Sequence, residues 1–212
     1  MLQSSEIRAR ARASLKGKWW RAVWQYFVFA LIYTIPLVLI QQWSQLASEA
    51  FSLLVAGAVA LGAAAYFLAI VRGDKPAFST LFSGFQHYAK TLLLYLIMLV
   101  FIFLWFLLLI VPGIIAGLRY SQAYYILLDN PEISPMEAIR RSKAMMAGHK
   151  GRLFVLGLSF IGWIILAAIP FGIGMLWLIP YMMAAYAHFY DDLRSRSLGL
   201  PPTIPENPAV VG

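Results

Sequence analysis

The chain predicts an all-α membrane protein, a six-helix bundle of three hairpins with cytoplasmic interfacial amphipathic helices, and three observations carry that prediction. Composition is the first: 61% of the 212 residues are hydrophobic and the mean hydropathy is +0.74, above the level of soluble domains. Run length is the second. Apolar stretches at 22–40, 51–71, 92–111, 153–169 and 175–190 reach or approach the length needed, and a shorter one covers 114–128; about 20 apolar residues cross a hydrocarbon core roughly 30 Å thick. Charge placement is the third. The connections at 41–50, at Pro112-Gly113 and at 170–174 hold no Lys or Arg. The intervening segments hold Arg8, Arg10, Arg12, Lys16, Lys18 and Arg21, then Arg72, Lys75 and Lys90, then Arg140, Arg141, Lys143, Lys150 and Arg152, and finally Arg194 and Arg196. Of the 17 basic residues only Arg119 lies elsewhere. The positive-inside bias therefore puts both termini in the cytoplasm.

Composition also excludes. The +8 net charge sits beside helix ends, where it sets topology and meets anionic headgroups, so no nucleic-acid partner is predicted. With no cysteine, disulfides, thiolate catalysis and cysteine metal sites drop out. A basic start followed by an apolar run mimics a signal peptide. The run at 22–40 exceeds a signal-peptide core of about 7–15 residues and no small-x-small site follows, so it reads as a retained first helix.

Taken in order, 4–18 is a basic amphipathic helix, with Ile7, Ala11 and Leu15 on one face and Arg8, Arg12 and Lys16 beside them. Trp19 and Trp20 mark the headgroup boundary ahead of the first span. The second span carries Gly57, Gly62 and an alanine run at 63–65, which allow close helix contact. A shorter interfacial helix is expected at 78–85. As one helix, 91–118 would measure roughly 42 Å, longer than a bilayer needs, so Pro112-Gly113 is read as a tight outer turn. Without it, the basic residues of 140–152 would face outside. Ser134-Pro135-Met136-Glu137 supplies an N-cap, a first-turn proline and a capping-box carboxylate for an interfacial helix at 134–147. Met136, Ile139 and Met146 form its apolar stripe, and Arg140, Arg141 and Lys143 its basic face. Pro180 is expected to kink the last span. Residues 1–196 form a single transmembrane domain, and the proline-rich tail 197–212 is expected to be disordered.

An internal repeat follows from aligning Gly17, Gly84 and Gly148. Each follows a large apolar residue by two places (Leu15, Phe82, Met146), and each precedes basic residues and an outgoing span. The returning spans share Ala65-Tyr66 with Asp74, Ala123-Tyr124 with Asp129 and Ala185-Tyr186 with Asp191. The unit would be an interfacial helix, a glycine, an outgoing span, an outer turn and a returning span.

The segment Leu81-Phe82-Ser83-Gly84-Phe85, the Pro112-Gly113 break, Arg119-Tyr120, Asp129-Asn130-Pro131 and Ser142-Lys143 followed by Met146-Ala147-Gly148-His149-Lys150 carry a resemblance, as do Leu158-Ser159-Phe160-Ile161-Gly162-Trp163, Pro180-Tyr181 and Phe189-Tyr190. Together they resemble the bacterial integral membrane family called domain of unknown function 975, over nearly the whole chain except the tail. The resemblance implies a bacterial cytoplasmic-membrane protein and supplies no activity or catalytic residues. The family is distantly similar to the membrane domain of some glycerophosphodiester phosphodiesterases, whose soluble catalytic domain this chain lacks.

Arg119 is the most informative single residue. It lies about 8 Å past the outer turn, within hydrocarbon depth, so it should face the bundle interior or a wet cavity. With Gln122 at i+3, and Tyr120 and Tyr124 nearby, it forms a candidate site for a lipid phosphate or a carboxylate. The competing account has Arg119 snorkelling to the outer headgroups or tethering carbonyls at the Pro-Gly break. Arg8, Arg12, Lys16, Arg140, Arg141 and Lys143 are candidate contacts for anionic inner-leaflet lipids. No acidic residue lies securely inside a span, His87, His149 and His188 are isolated, and Ser159 lacks a base, so no metal, cofactor or enzymatic set is predicted. The sequence leaves two functions open. One is a non-enzymatic module that binds lipid, a membrane-protein partner or another copy of itself; the other is a transporter or channel for a small anionic or amphiphilic solute using Arg119.

Overall fold

The computed structural model describes residues 3–169 and 172–197, and every element among them is helical. Helix α1 (Ser4–Leu15) leads through Gly17 into α2 (Trp19–Trp43) and α3 (Gln45–Val71). A 3-10 helix (Phe78–Phe85) precedes α4 (Tyr88–Leu108), α5 (Ile110–Tyr120) and α6 (Ala123–Asp129). Then come α7 (Pro135–Met145), α8 (Lys150–Leu158), α9 (Ile161–Ala168) and α10 (Met175–Ser197). Apart from Ser197, which ends α10, the tail 197–212 lies outside the described residues, as do residues 170 and 171 of the outer connection at 170–174.

Among the described residues four segments are long and apolar enough to cross a membrane: α2, α3, α4 and α8 with α9 taken together. The predicted stretches 114–128 and 175–190 are not among them, for different reasons. The first divides into α5 and α6, neither of which is long enough alone. The second belongs to a 23-residue helix that carries Asp191, Asp192, Arg194 and Arg196 in its last turns and is buried along most of its length. A helix enclosed by protein can hold polar groups that a lipid-facing one cannot.

The hairpin turns are tighter than the sequence suggested. Ser44 alone separates α2 from α3, capping α3 by accepting from the Ala47 N–H at 3.3 Å. Nothing in 41–50 breaks a helix, so the polar residues there continue both helices. Likewise Leu109 alone, in extended conformation, separates α4 from α5. The break falls three residues before Pro112-Gly113. Pro112 sits in the first turn of α5, where a missing N–H loses nothing. Gly113 lets the two helices close on each other, since an added Cβ would lie 2.5 Å from the Phe106 ring.

The core gathers at one end. α3 is buried over most of Gly57 to Val71 and α10 over most of Leu178 to Ser195, whereas α2 buries only Ala22, Val23 and Phe29, and α4 only Thr91 and Leu94. The 3-10 helix lies on α3 at backbone distance, because side chains at Gly62 and Gly84 would collide with the Leu81 and Ala58 carbonyls. The apolar stripe of α1, Ile7, Ala11 and Leu15, is buried with α10 as its main neighbour. Ile139 and Met146 of the α7 stripe are buried as well, while Met136 is exposed. Gly17 and Gly148, aligned in the sequence repeat, share a positive φ (76° and 77°), a conformation that favours glycine. Gly84 does not adopt it.

Two helices break near the rim of this core, and both breaks are built alike. At Ser121-Gln122 the Ser121 hydroxyl donates back to the Leu118 carbonyl at 2.9 Å; at Ser159-Phe160 the Ser159 hydroxyl donates back to the Leu156 carbonyl at 2.6 Å. Such i−3 bonds compete with the backbone ladder and bend helices. The freed groups find partners on the short helices α7 and α1. Ser142 of α7, fully buried, accepts from the Gln122 N–H at 3.2 Å and donates to the Arg119 carbonyl at 2.8 Å. Arg8 of α1 donates to the Ser159 carbonyl at 3.3 Å.

Candidate functional site

A cavity of about 510 Å³ opens between the two breaks, walled by α3, α5, α6, α8, α9 and α10. Its size is ordinary for a small-molecule site. Ala60 and Ala64 keep the α3 wall recessed, and Gly157 adds room on α8, where a Cβ would meet only the Tyr186 hydroxyl at 3.9 Å. Phe154, Leu158 and Ile161 line the cavity and are also exposed on the outer surface, so it reaches the apolar flank of the bundle. The wall is mostly apolar; its polar side chains are Ser121, Gln122, Tyr124, Tyr125 and Tyr186.

The hydrogen bonds around Gln122 are constrained. Its Nε2 donates to Ser121 Oγ at 2.8 Å. Ser121 has a single hydroxyl proton, already given to Leu118, so it can only accept, which fixes the orientation of the amide. Gln122 is 2% exposed, and its Oε1 is buried without a partner.

A charge network closes the end of the bundle behind the cavity. Tyr125 stacks on Tyr190 at 5.0 Å, and the Tyr190 hydroxyl donates to Asp129 at 2.8 Å. Arg72 grips Asp129 with two bonds of 2.8 and 2.9 Å, and Arg194 adds a second cation at 2.9 Å. Asp191 approaches Arg72 at 3.5 Å, while Asp192 takes Arg152 and Arg196 at 2.8 and 3.0 Å. The termini of α3, α6, α8 and α10 are thus tied together. Burial alone would raise the Asp129 pKa, but the bonds from Arg72 and Tyr190 and the charges of Arg72 and Arg194 outweigh it and hold the carboxyl below its ordinary range.

The predicted site residues separate. Gln122 and Tyr124 line the cavity, whereas Tyr120 packs on Phe101 of α4 at 6.1 Å. Arg119 is half-buried and does not line the cavity; its side chain meets no hydrogen-bond or ion-pair partner among the described residues, and its carbonyl belongs to the Ser142 bridge. Ser121 and Tyr125, from the same polar segment, also line the cavity, and Tyr186 joins them from α10. For Tyr186 a signal existed, because two of the three repeated Ala-Tyr pairs, at Tyr124 and Tyr186, face the cavity. Tyr66 of the third instead donates to Gln25 at 2.5 Å.

Of the predicted headgroup contacts, Arg12, Lys16, Arg140, Arg141 and Lys143 are exposed and Arg8 is half-buried in the α8–α9 break. Glu137 holds Arg140 and Arg141 at 2.7 and 2.8 Å, and those two bonds draw its pKa down to about 2. A second hollow of about 360 Å³ has Arg12 at its edge, with Trp19, Trp163, Trp177 and Tyr181 around it. No cluster of three metal-ligating side chains occurs among the described residues.

The family model described as "Protein of unknown function (DUF975)" matches residues 1–114 and 99–197. No curated protein and no solved structure matches the chain.

Proposed function

The chain belongs to the family of unknown function DUF975, and from that premise we propose that it is a non-enzymatic module of the bacterial cytoplasmic membrane that binds an amphiphilic lipid in the cavity between its two broken helices. The single observation that carries this is the cavity itself: apolar, open on the flank that lipid chains would touch, and ending in a small group of polar side chains. In this proposal the chain crosses the membrane six times as three repeated hairpins. α5 with α6 acts as one span and α10 as another, with both termini in the cytoplasm. One-sided basic charge supports that topology. Exposed Arg12, Lys16 and Lys143 are the residues best placed for anionic inner-leaflet headgroups, and the exposed apolar hairpins offer surface to a membrane-protein partner or a second copy.

Gly157→Leu tests the site, because it fills the cavity while improving helix propensity. Purified wild type should carry a defined lipid through detergent exchange and Gly157→Leu should lose it at unchanged thermal stability. Equal lipid content in both proteins would overturn the assignment. Single cysteines test topology: labelling from outside is expected at Ser44→Cys and Gly172→Cys but not at Ser79→Cys or Lys143→Cys.

One observation favours a second function. Broken helices flanking a cavity are a device of transporters, so movement of an amphiphilic solute through the same site is the alternative. Solute flux in proteoliposomes that Gly157→Leu abolishes would establish it in place of static binding.

A further inference from the structure

The cavity wall is uncharged throughout: no Lys, Arg, His, Asp or Glu is among its described lining residues. Its mouth is apolar, since Phe154, Leu158 and Ile161 stand exposed on the flank of the bundle. Its interior carries phenols. Tyr125 is 7% exposed, and the Tyr186 hydroxyl comes within 3.9 Å of where a Cβ on Gly157 would stand. Neither hydroxyl bonds to another described residue, and neither is among the side-chain atoms sealed inside the protein without a partner. Both are therefore reachable, and for Tyr125, otherwise buried, the route is the cavity it lines. From this we infer that the site selects an uncharged amphiphile, which enters polar end first and seats a carbonyl oxygen against the hydroxyls of Tyr125 and Tyr186. The inference rests on the cavity being the amphiphile site proposed above.

Charge and hydrogen bonding select this chemistry separately. A phosphate, sulfate or carboxylate seated inside would be buried without a counter-cation, and an ammonium without a counter-anion, and either is expensive. Arg119 lies outside the wall and supplies no remedy. The hydroxyls then choose among uncharged groups. A phenol donates more readily than it accepts, because its oxygen shares a lone pair with the ring, and a carbonyl oxygen offers two lone pairs to such donors. A bare hydrocarbon seated inside would leave both protons facing apolar atoms. The chain of the amphiphile therefore lies toward the flank and its polar end lies within. Two sources present this chemistry, the ester of an acylglycerol and the ring carbonyl of a prenylated quinone.

Probes of matched chain length test it: methyl oleate, oleyl sulfate, oleyltrimethylammonium and the headless hydrocarbon octadecene. Each is titrated into the full chain in phosphatidylcholine nanodiscs and read by native mass spectrometry. The two ions cannot shed their charge by titration. Burying an unpaired charge costs on the order of tenfold in affinity at the least, so wild type should bind the ester at least that much tighter than either ion. Tyr125→Phe combined with Tyr186→Phe keeps both rings; it should weaken the ester roughly tenfold and leave octadecene unchanged. Displacement of methyl oleate by an acylglycerol or by a prenylated benzoquinone tells the two sources apart, and displacement by neither overturns the carbonyl. Either ion binding as tightly as the ester overturns the charge selection, and that result stands even if the double variant does not fold. Unchanged ester affinity in a folded double variant overturns the seat on the hydroxyls. Binding that ignores charge but is abolished by Gly157→Leu would keep the amphiphile site and remove only its selectivity. Binding of no probe would remove both.

Discussion

At the charged end of the bundle α3 and α10 are enclosed on nearly every side, whereas the hairpin tips around Ser44 and Leu109 leave Trp43, Leu46, Leu107 and Ile110 bare. The apolar window of α3 is 61% buried and those of α2 and α4 are 11% buried each. Long helices run unbroken in both regions, α3 and α10 for 27 and 23 residues and α2 and α4 for 25 and 21; what differs is the partner available at a break. Where the helices break, at Ser121-Gln122 and Ser159-Phe160, α7 and α1 reach in with Ser142 and Arg8. The difference follows from solvation: hydrocarbon offers no partner to a freed N–H or C=O, so a break survives only where protein supplies one. The short helices α1 and α7 therefore bury apolar side chains against the core and lend polar side chains to the breaks beside the cavity.

The largest effect expected from breaking this contrast is at Ser142. Ser142→Ala strips the Gln122 N–H and the Arg119 carbonyl of their shared partner in a fully buried setting, and two such losses amount to about 3 kcal/mol. Unfolding of the purified protein in mixed micelles should report it. A loss below about 0.5 kcal/mol would mean that water already serves the break, and that the interior of the core is no drier than its rim.

Asp129 tests the charged end itself. Asp129→Asn removes the anion shared by Arg72 and Arg194 and should cost about 2 kcal/mol, less than a fully buried pair because the Arg72 side chain is 26% exposed. The pH dependence has a definite sign. The folded-state pKa of Asp129 is depressed, so its contribution is complete above the unfolded carboxylate value near ~4 and is lost as pH falls through the lower folded value. Wild type and Asp129→Asn should differ fully at pH 7 and converge in acid. A constant gap down to pH 3 would show that the charge is not what binds these termini.

Several parts of this architecture could be read from residues alone. Run length located the four segments long and apolar enough to cross a membrane, α2, α3, α4 and α8 with α9, because hydropathy over such a length is a direct property of the residues. The N-cap Ser134 and first-turn Pro135 placed the start of α7, although the Glu137 carboxylate turns to Arg140 and Arg141 and closes no capping box. Pro112-Gly113 located the α4–α5 turn to within three residues. The breaks at Ser121 and Ser159 were not legible, since a serine in an apolar run bends a helix only when another element accepts the freed groups, and Ser142 and Arg8 come from distant segments. For the same reason Arg119 drew attention that its neighbours deserved. A charge in an apolar segment is conspicuous in sequence, whereas neutral Tyr125 and Tyr186 become informative only once the fold sets them on one cavity.

The two smallest effects set the scale for the contrast. Arg8→Met keeps the aliphatic stem that packs beside α8 but removes the donor to the Ser159 carbonyl, and should cost about 1 kcal/mol because the site is partly open. Ser44→Ala removes the N-cap of α3 at an exposed tip; water or headgroups can replace the lost acceptor there, so about 0.5 kcal/mol is expected, the low end for a cap. Measured by the same micelle unfolding, the series should fall in the order Ser142, Asp129, Arg8, Ser44. If Ser44→Ala proves as costly as Ser142→Ala, the tip is as starved of hydrogen-bond partners as the core. It would then lie in hydrocarbon instead of at the water-facing end of a span.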